Sequence, residues 1–231
     1  MKKGSKLLSL LTSVPVALFI LTGSLSVPIL WRGFYYNQIE ALALPARTGF
    51  SPEIIREAFD QVMDYLLLDA PFGTGQLKWS PEGMAHFADC KFWFKADLVI
   101  FAVTALLLLI LLVWVLRSPG LAKRFAFSPV RGGVTLLLAA LLGLGIWGLV
   151  DFESLFVAFH TLFFPGKTNW LFDYRFDQII LILPEAFWAR AAALVAGLAF
   201  GLCFLLVLGE WLWRRRQHQP TVYEELKSLR Q

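Results

Sequence analysis

Four uninterrupted apolar stretches, at about residues 7–31, 95–116, 132–150 and 186–213, constrain this chain more than any motif in it. A hydrocarbon core of ~30 Å takes ~20 mostly apolar residues to cross as a helix. Inside that core every backbone N–H and C=O must find its partner within the segment or a closed barrel. Four such runs in 231 residues predict an all-α polytopic membrane protein, a single membrane domain with four transmembrane helices. Hydrophobic residues make up 58% of the chain and charged ones 16%, against ~25% charged in an ordinary soluble domain. The third run is short and carries Gly143, Gly145 and Gly148, which predict close approach of a neighbouring helix there. The first run follows Met1-Lys2-Lys3 but exceeds the ~7–15 residues of a secretory signal core. A retained first helix is expected.

Basic and acidic residues segregate between the connections. Lys2, Lys3 and Lys6 precede the first run. Arg117, Lys123, Arg124 and Arg131 lie between the second and third, and Arg214, Arg215 and Arg216 follow the fourth. The other two connections hold most of the acids, among them Glu53, Asp60, Asp64, Asp69 and Asp89 in one and Asp151, Glu153, Asp173 and Asp177 in the other. The positive-inside rule then places both termini, including the polar tail 214–231, in the cytoplasm. Residues 32–94 and 151–185 are expected outside it. The net charge of +4 is an orientation signal and gives no ground for a nucleic-acid partner. Cys90 and Cys203 fall at different depths, so a disulfide between them is not expected.

The first outer segment is long enough to carry structure. Ser51-Pro52-Glu53 reads as an N-cap, a first-turn proline and an acid that complements the helix dipole. Ile54, Ile55, Ala58, Phe59, Val62 and Leu66 then fall on one face of an amphipathic helix at about 52–67, which would lie on lipid or cover the bundle. The Pro-Phe-Gly-Thr-Gly that follows, flanked by apolar residues, predicts a small hairpin. A second helix start at Ser80-Pro81-Glu82 leads straight into the second apolar run. On that helix His86, Asp89, Cys90 and Trp93 share a face.

Of the three histidines, His218 sits in the basic tail and reads as solvated. His86 and His160 both fall on the outer side, the latter in a run at 155–164 that Pro165-Gly166 ends. An imidazole with pKa ~6.5 suits proton transfer near neutral pH. It also serves as a hydrogen-bonded interfacial side chain, and the residues alone leave both open.

Three segments together resemble a known family. HFADCK at 86–91, HTLFF at 160–164 with WLFD at 170–173, and ILPEAFW at 182–188 are similar to elements of the lipoprotein intramolecular transacylases, small four-helix bacterial membrane proteins. Cys90 stands where that pattern has valine, Tyr174 where it has proline, and the spacing at 165–169 differs. The resemblance implies a bacterial cytoplasmic-membrane acyltransferase whose active site faces the outer leaflet. It would move the sn-2 acyl chain of a diacylglyceryl-cysteine lipoprotein to that cysteine's own α-amine. Ester and amine belong to one molecule and ester to amide is downhill, so no cofactor or metal is implied. The implied catalytic residues are His86 and His160. Asp89, Phe164, Trp170 and Asp173 are supporting or substrate-binding candidates, and membrane phospholipid is the other partner. Cys90, one turn from His86, opens a covalent acyl-thioester route as a variant. Bis-histidine haem ligation and a non-enzymatic membrane scaffold are the alternatives.

Overall fold

A computed structural model describes residues 4–217 as helices and connecting turns. Lys2, Lys3, His218 and the rest of the tail lie outside the described residues. Four helices are long and apolar enough to cross a membrane: α1 (Lys6–Leu30), α5 (Pro81–Arg117), α6 (Pro129–Val150) and α9 (Glu185–Gln217). Between them come α2 (Arg32–Ala41), α3 (Leu44–Thr48), α4 (Pro52–Leu68), α7 (Phe152–Phe163) and the single turn α8 (Ile179–Ile182). A 3-10 segment at Pro119–Arg124 joins α5 to α6.

Helix α1 is the hub, packing against α5, α6 and α9. Val16, Ala17 and Ile20 of α1 meet Val134 and Leu137 of α6 and Ala199 and Cys203 of α9 in a buried core. The hydroxyls of Ser9, Ser13, Thr22, Ser24 and Ser26 donate to carbonyls four residues back, so these buried polar groups cost little. Close approach of α6 to α1 does depend on glycine, but lower than expected. A Cβ at Gly133 would stand 2.6 Å from Val16 Cβ, whereas nothing lies within 4 Å of one at Gly143 or Gly145. Residues 142–147 of α6 are exposed, so those two glycines face outward.

Helices α2, α3, α4 and α8 form a cap over one end of the bundle, with the first turns of α5. Its core joins Tyr35, Ile39, Ile55, Phe59, Val62, Leu66, Phe87, Ile182 and Phe187. Tyr35 stacks on Phe59 with centroids 3.8 Å apart and donates its hydroxyl to the Ile182 carbonyl at 2.9 Å. The Ser51 hydroxyl caps α4 as expected, and the apolar face of α4 is spent on the cap core rather than on lipid.

The expected small hairpin does not form strands. Residues 69–80 run as irregular chain with a turn in which Leu77 N–H donates to Thr74 O (3.0 Å) and the Thr74 hydroxyl to Leu77 O (2.7 Å). Gly75 N–H donates to the Gln61 side chain at 2.8 Å. Side chains have taken the backbone groups a two-stranded ladder needs, so no ladder closes. Lys78 pairs instead with Gln178, donating to its side-chain oxygen at 2.9 Å and accepting its backbone N–H at 3.0 Å.

The third spanning helix does not continue into the His160 segment. It stops at Asp151, whose φ of −154° leaves the helical region and whose carboxylate caps α7 by accepting Ser154 N–H at 2.9 Å. His160 therefore rides on a separate twelve-residue helix.

Candidate active site

His86 lies in the first turns of α5, about 14 Å along the helix axis ahead of the apolar run that begins near residue 95. The start of α5 is fixed from three sides. The Ser80 hydroxyl accepts Gly83 N–H at 2.9 Å, Pro81 occupies the first turn, and Asp177 grips Ser80 through both its N–H (2.8 Å) and its hydroxyl (2.7 Å). Phe87, next in sequence, is anchored in the cap core and stacks on Phe172 at 5.8 Å. His86 thus stands on a helix end that cannot fray freely, facing the chain that follows α7.

His160 arrives from α7. The His86 and His160 ring centroids are 6.0 Å apart with the planes inclined at 33°. Both side chains are buried, and aromatic rings enclose the pair. Phe164 lies 5.0 Å from the His86 ring and 5.8 Å from the His160 ring. Phe172 meets His86 edge-on at 5.3 Å, Trp170 stacks on His160 at 4.6 Å, and Phe156 lies 4.1 Å from it.

The two histidines are held differently. His160 Nδ1 is 2.8 Å from the Phe156 carbonyl. A carbonyl only accepts, so Nδ1 carries the proton and Nε2 keeps a lone pair. His86 Nε2 lies 3.4 Å from Cys90 Sγ, and His86 Nδ1 is buried with no partner. Burial, then the neighbouring His160, pushes the His86 pKa down to about 4, against the opposing pull of Asp89. Burial also lowers His160, with the Phe156 carbonyl opposing. At neutral pH both rings are uncharged. Burial and the Asp89 charge push the Cys90 thiol up to about 12, so it stays protonated, and the His86 tautomer in which Nε2 accepts from that thiol carries its proton on Nδ1. His86 Nδ1 is then an N–H with nothing to bond.

The supporting candidates divide. Phe164 and Trp170 touch the imidazoles. Asp89 does not bond either ring; its carboxylate accepts from the Lys167 ammonium and from Asn169 Nδ2 at 3.1 Å, tying the 165–169 loop to α5. Burial would raise its carboxyl, and these two donors outweigh that and lower it. Asp173 is turned away, bonded to the Arg175 backbone N–H (2.9 Å) and guanidinium at the surface. Sequence reasoning missed Phe156, Asn169, Phe172 and Asp177. The helical spacing of Phe156 before His160 was a usable signal; the 97-residue separation of Ser80 and Asp177 was not. Among the described residues, no three His, Cys, Asp or Glu side chains cluster as a metal site.

Comparison with known proteins bears on the family and the fold. The family described as lipoprotein intramolecular transacylase Lit matches residues 10–188. The solved structure of the membrane integral lipoprotein intramolecular transacylase Lit from Bacillus cereus superposes with a TM-score of 0.81 at 25% identity, covering 92% of this chain and 97% of that one. Two variants of that protein, with one histidine replaced by arginine or by alanine, give TM-scores of 0.76 and 0.77 at 24% identity. They cover 91% and 92% of this chain and 92% and 95% of theirs. A search of curated proteins finds no match. Most of the sequence thus fits the family, and the whole bundle with its cap fits the solved fold. The chain belongs to the lipoprotein intramolecular transacylases, acyltransferases of the membrane.

Proposed function

We propose that this enzyme moves the sn-2 acyl chain of a diacylglyceryl-cysteine lipoprotein onto the α-amine of the same cysteine, leaving an N-acyl, S-monoacylglyceryl product. The observation that carries the reading is the facing pair of imidazoles, one whose Nδ1 is tied to a carbonyl and one whose buried Nδ1 meets no partner. The α-amine, with an ordinary pKa of ~7.7–8, is partly unprotonated near neutral pH and needs a neutral base for the proton it sheds on attack. His160 Nε2 takes its proton as the nitrogen attacks the ester carbonyl. His86 Nδ1–H donates to the oxygen on which charge develops. The C–N bond forms, the C–O bond to glycerol breaks, and the proton passes from His160 to the departing glyceryl oxygen. Nucleophile and ester sit on one substrate, so the aromatic enclosure has only to fold that substrate on itself.

The reaction is placed at the outer leaflet of a bacterial cytoplasmic membrane, with both termini cytoplasmic. The distribution of charge supports this. Lys6, Lys123, Arg124, Arg131 and Arg214 gather at one end of the bundle, whereas the cap end carries most of the acids. In intact cells, a membrane-impermeant maleimide is expected to label Tyr174→Cys and not Lys123→Cys; the reverse pattern would invert the orientation.

The test of the reaction is a synthetic diacylglyceryl-cysteine lipopeptide incubated with the purified protein in lipid. Tandem mass spectrometry is expected to find the transferred acyl group on the α-nitrogen and a free glyceryl 2-hydroxyl. A transferred chain from the sn-1 position, or a product acylated elsewhere, would overturn the assignment.

A further inference from the structure

Three buried side-chain polar atoms lack a hydrogen-bond partner among the described residues: His86 Nδ1, Asn169 Oδ1 and Glu210 Oε2. The last lies 3.5 Å from Arg131 Nε, within reach of an ion pair at the far end of the bundle. The remaining two belong to the site. An unpaired buried acceptor is costly, and native structures keep such groups where something else is meant to meet them.

The orientation of the Asn169 amide is not free. Its Nδ2 donates to Asp89 Oδ2 at 3.1 Å, and a flipped amide would set oxygen against carboxylate. The carboxylate therefore forces Oδ1 to point away from Asp89, and the anchored loop holds it there. That loop is closed by the Lys167–Asp89 ion pair, by Trp170 Nε1 donating to Lys167 O at 3.0 Å, and by Trp93 Nε1 donating to Phe163 O at 3.2 Å. Trp170, the next residue, lies on the His160 ring. Asp89 is one turn along α5 from His86 and acts on it electrostatically. Asn169 thus links the elements that carry the two imidazoles, and its buried Oδ1 is an unmet acceptor in the residue next to the one that lies on the His160 ring.

We propose that Asn169 Oδ1 is the acceptor for the substrate's α-amine, a specificity residue for primary amines, in an inference that rests on the acyl transfer proposed above. After the ammonium loses a proton the nitrogen keeps two hydrogens. One faces His160 Nε2, which removes it during attack. The other is held by Asn169 Oδ1, and the lone pair is then turned to the ester carbonyl. The hydrogen held by Asn169 stays on nitrogen as the N–H of the product amide, so no further proton is moved. The Asp89 carboxylate polarises the Asn169 amide through Nδ2 and strengthens its oxygen as an acceptor.

The test compares two synthetic lipopeptides, one with a free α-amine and one with an N-methylated α-amine, on wild-type enzyme and on Asn169→Ala. Wild type is expected to prefer the primary amine, because a methyl group meets the Asn169 carbonyl. Asn169→Ala is expected to lose roughly tenfold or more on the primary amine, with the preference between the two substrates falling by a similar factor. The preference is a ratio within one preparation, so a smaller folded fraction cancels from it. Equal loss on both substrates, an unchanged preference, or a wild-type rate on the primary amine would each overturn the proposal. A wild-type enzyme that acylates neither amine would instead overturn the underlying reaction.

Discussion

Asp177, buried beneath the cap, holds Ser80 by two hydrogen bonds at once, accepting its backbone N–H at 2.8 Å and its hydroxyl at 2.7 Å. The same hydroxyl accepts Gly83 N–H, so a residue just before α8 fixes the first turn of the helix that carries His86. Asp177→Ala is expected to destabilise the protein by about 1–3 kcal/mol, since it leaves two half-buried donors of Ser80 unpaired. Gly83→Ala should act in the same direction, because a Cβ there runs into the Asp177 carboxylate. Thermal unfolding in lipid nanodiscs checks both; unchanged midpoints would mean that this clasp does not hold α5.

His160→Ala should lower turnover by about 10²–10⁴-fold, the range for loss of a positioned general base. His86→Ala should cost about 10²–10³-fold, the range for loss of one oxyanion donor. Both are read by mass spectrometry of the lipopeptide product, normalised to folded enzyme in the membrane. Wild-type turnover by either variant would remove that histidine from the chemistry.

The imidazoles also predict the acid side of the pH profile. Burial lowers both pKa values, that of His86 to about 4, so His86 remains uncharged well below the ordinary value of 6.5 and His160 is uncharged at neutral pH. The rate should fall below about pH 8 only as the substrate's own amine protonates. A separate inflection between pH 6 and 7 would show that an ordinary histidine controls the reaction. The same shift acts on stability. Above pH 6.5 the histidine is neutral folded or unfolded and contributes nothing. As pH falls from 6.5 towards 4 the unfolded chain binds protons that the folded His86 refuses, so the folded state loses stability across that window.

Cys90 is expected to take no part as a nucleophile. Its thiol, pushed up to about 12, is protonated at working pH, and the thiolate is the reactive form. Cys90→Val should keep turnover within about fivefold, a weak S–H donor being worth no more than ~1 kcal/mol. Intact-protein mass spectrometry under turnover should show no acyl adduct. An acyl-thioester on Cys90 would replace direct aminolysis with a two-step route.

Replacing Trp170 separates enclosure from acid–base chemistry. Trp170→Ala uncovers the His160 ring and should admit water, so hydrolysed lyso-lipopeptide with a free α-amine is expected to rise relative to transacylated product. Trp170→Phe keeps a ring over the imidazole and should restore the product ratio.

Much of this was readable before any coordinates. The caps at Ser51, Ser80 and Asp151 are local signals, because a hydroxyl or carboxylate reaches N–H groups three residues on. Of these, the sequence pattern marked the first two, and the third was not read as a cap. The Gly-rich half of α6 suggested close packing that occurs instead at Gly133, since composition names small residues without saying which face meets a neighbour. The hairpin failed for a related reason: whether a turn becomes two strands depends on what else claims its backbone, here Gln61 and Gln178.

Length and hydropathy alone determined that this chain spans a membrane four times, because the solvent sets that length and every residue in the span must comply. Motif spacing marked His86 and His160 as residues to watch. Only the tertiary structure decided that they face each other, which nitrogen of each is free, and that Asn169 and Asp177 matter. Those facts arise from contacts between segments far apart in the chain, and pairings of that kind leave no local periodicity to read.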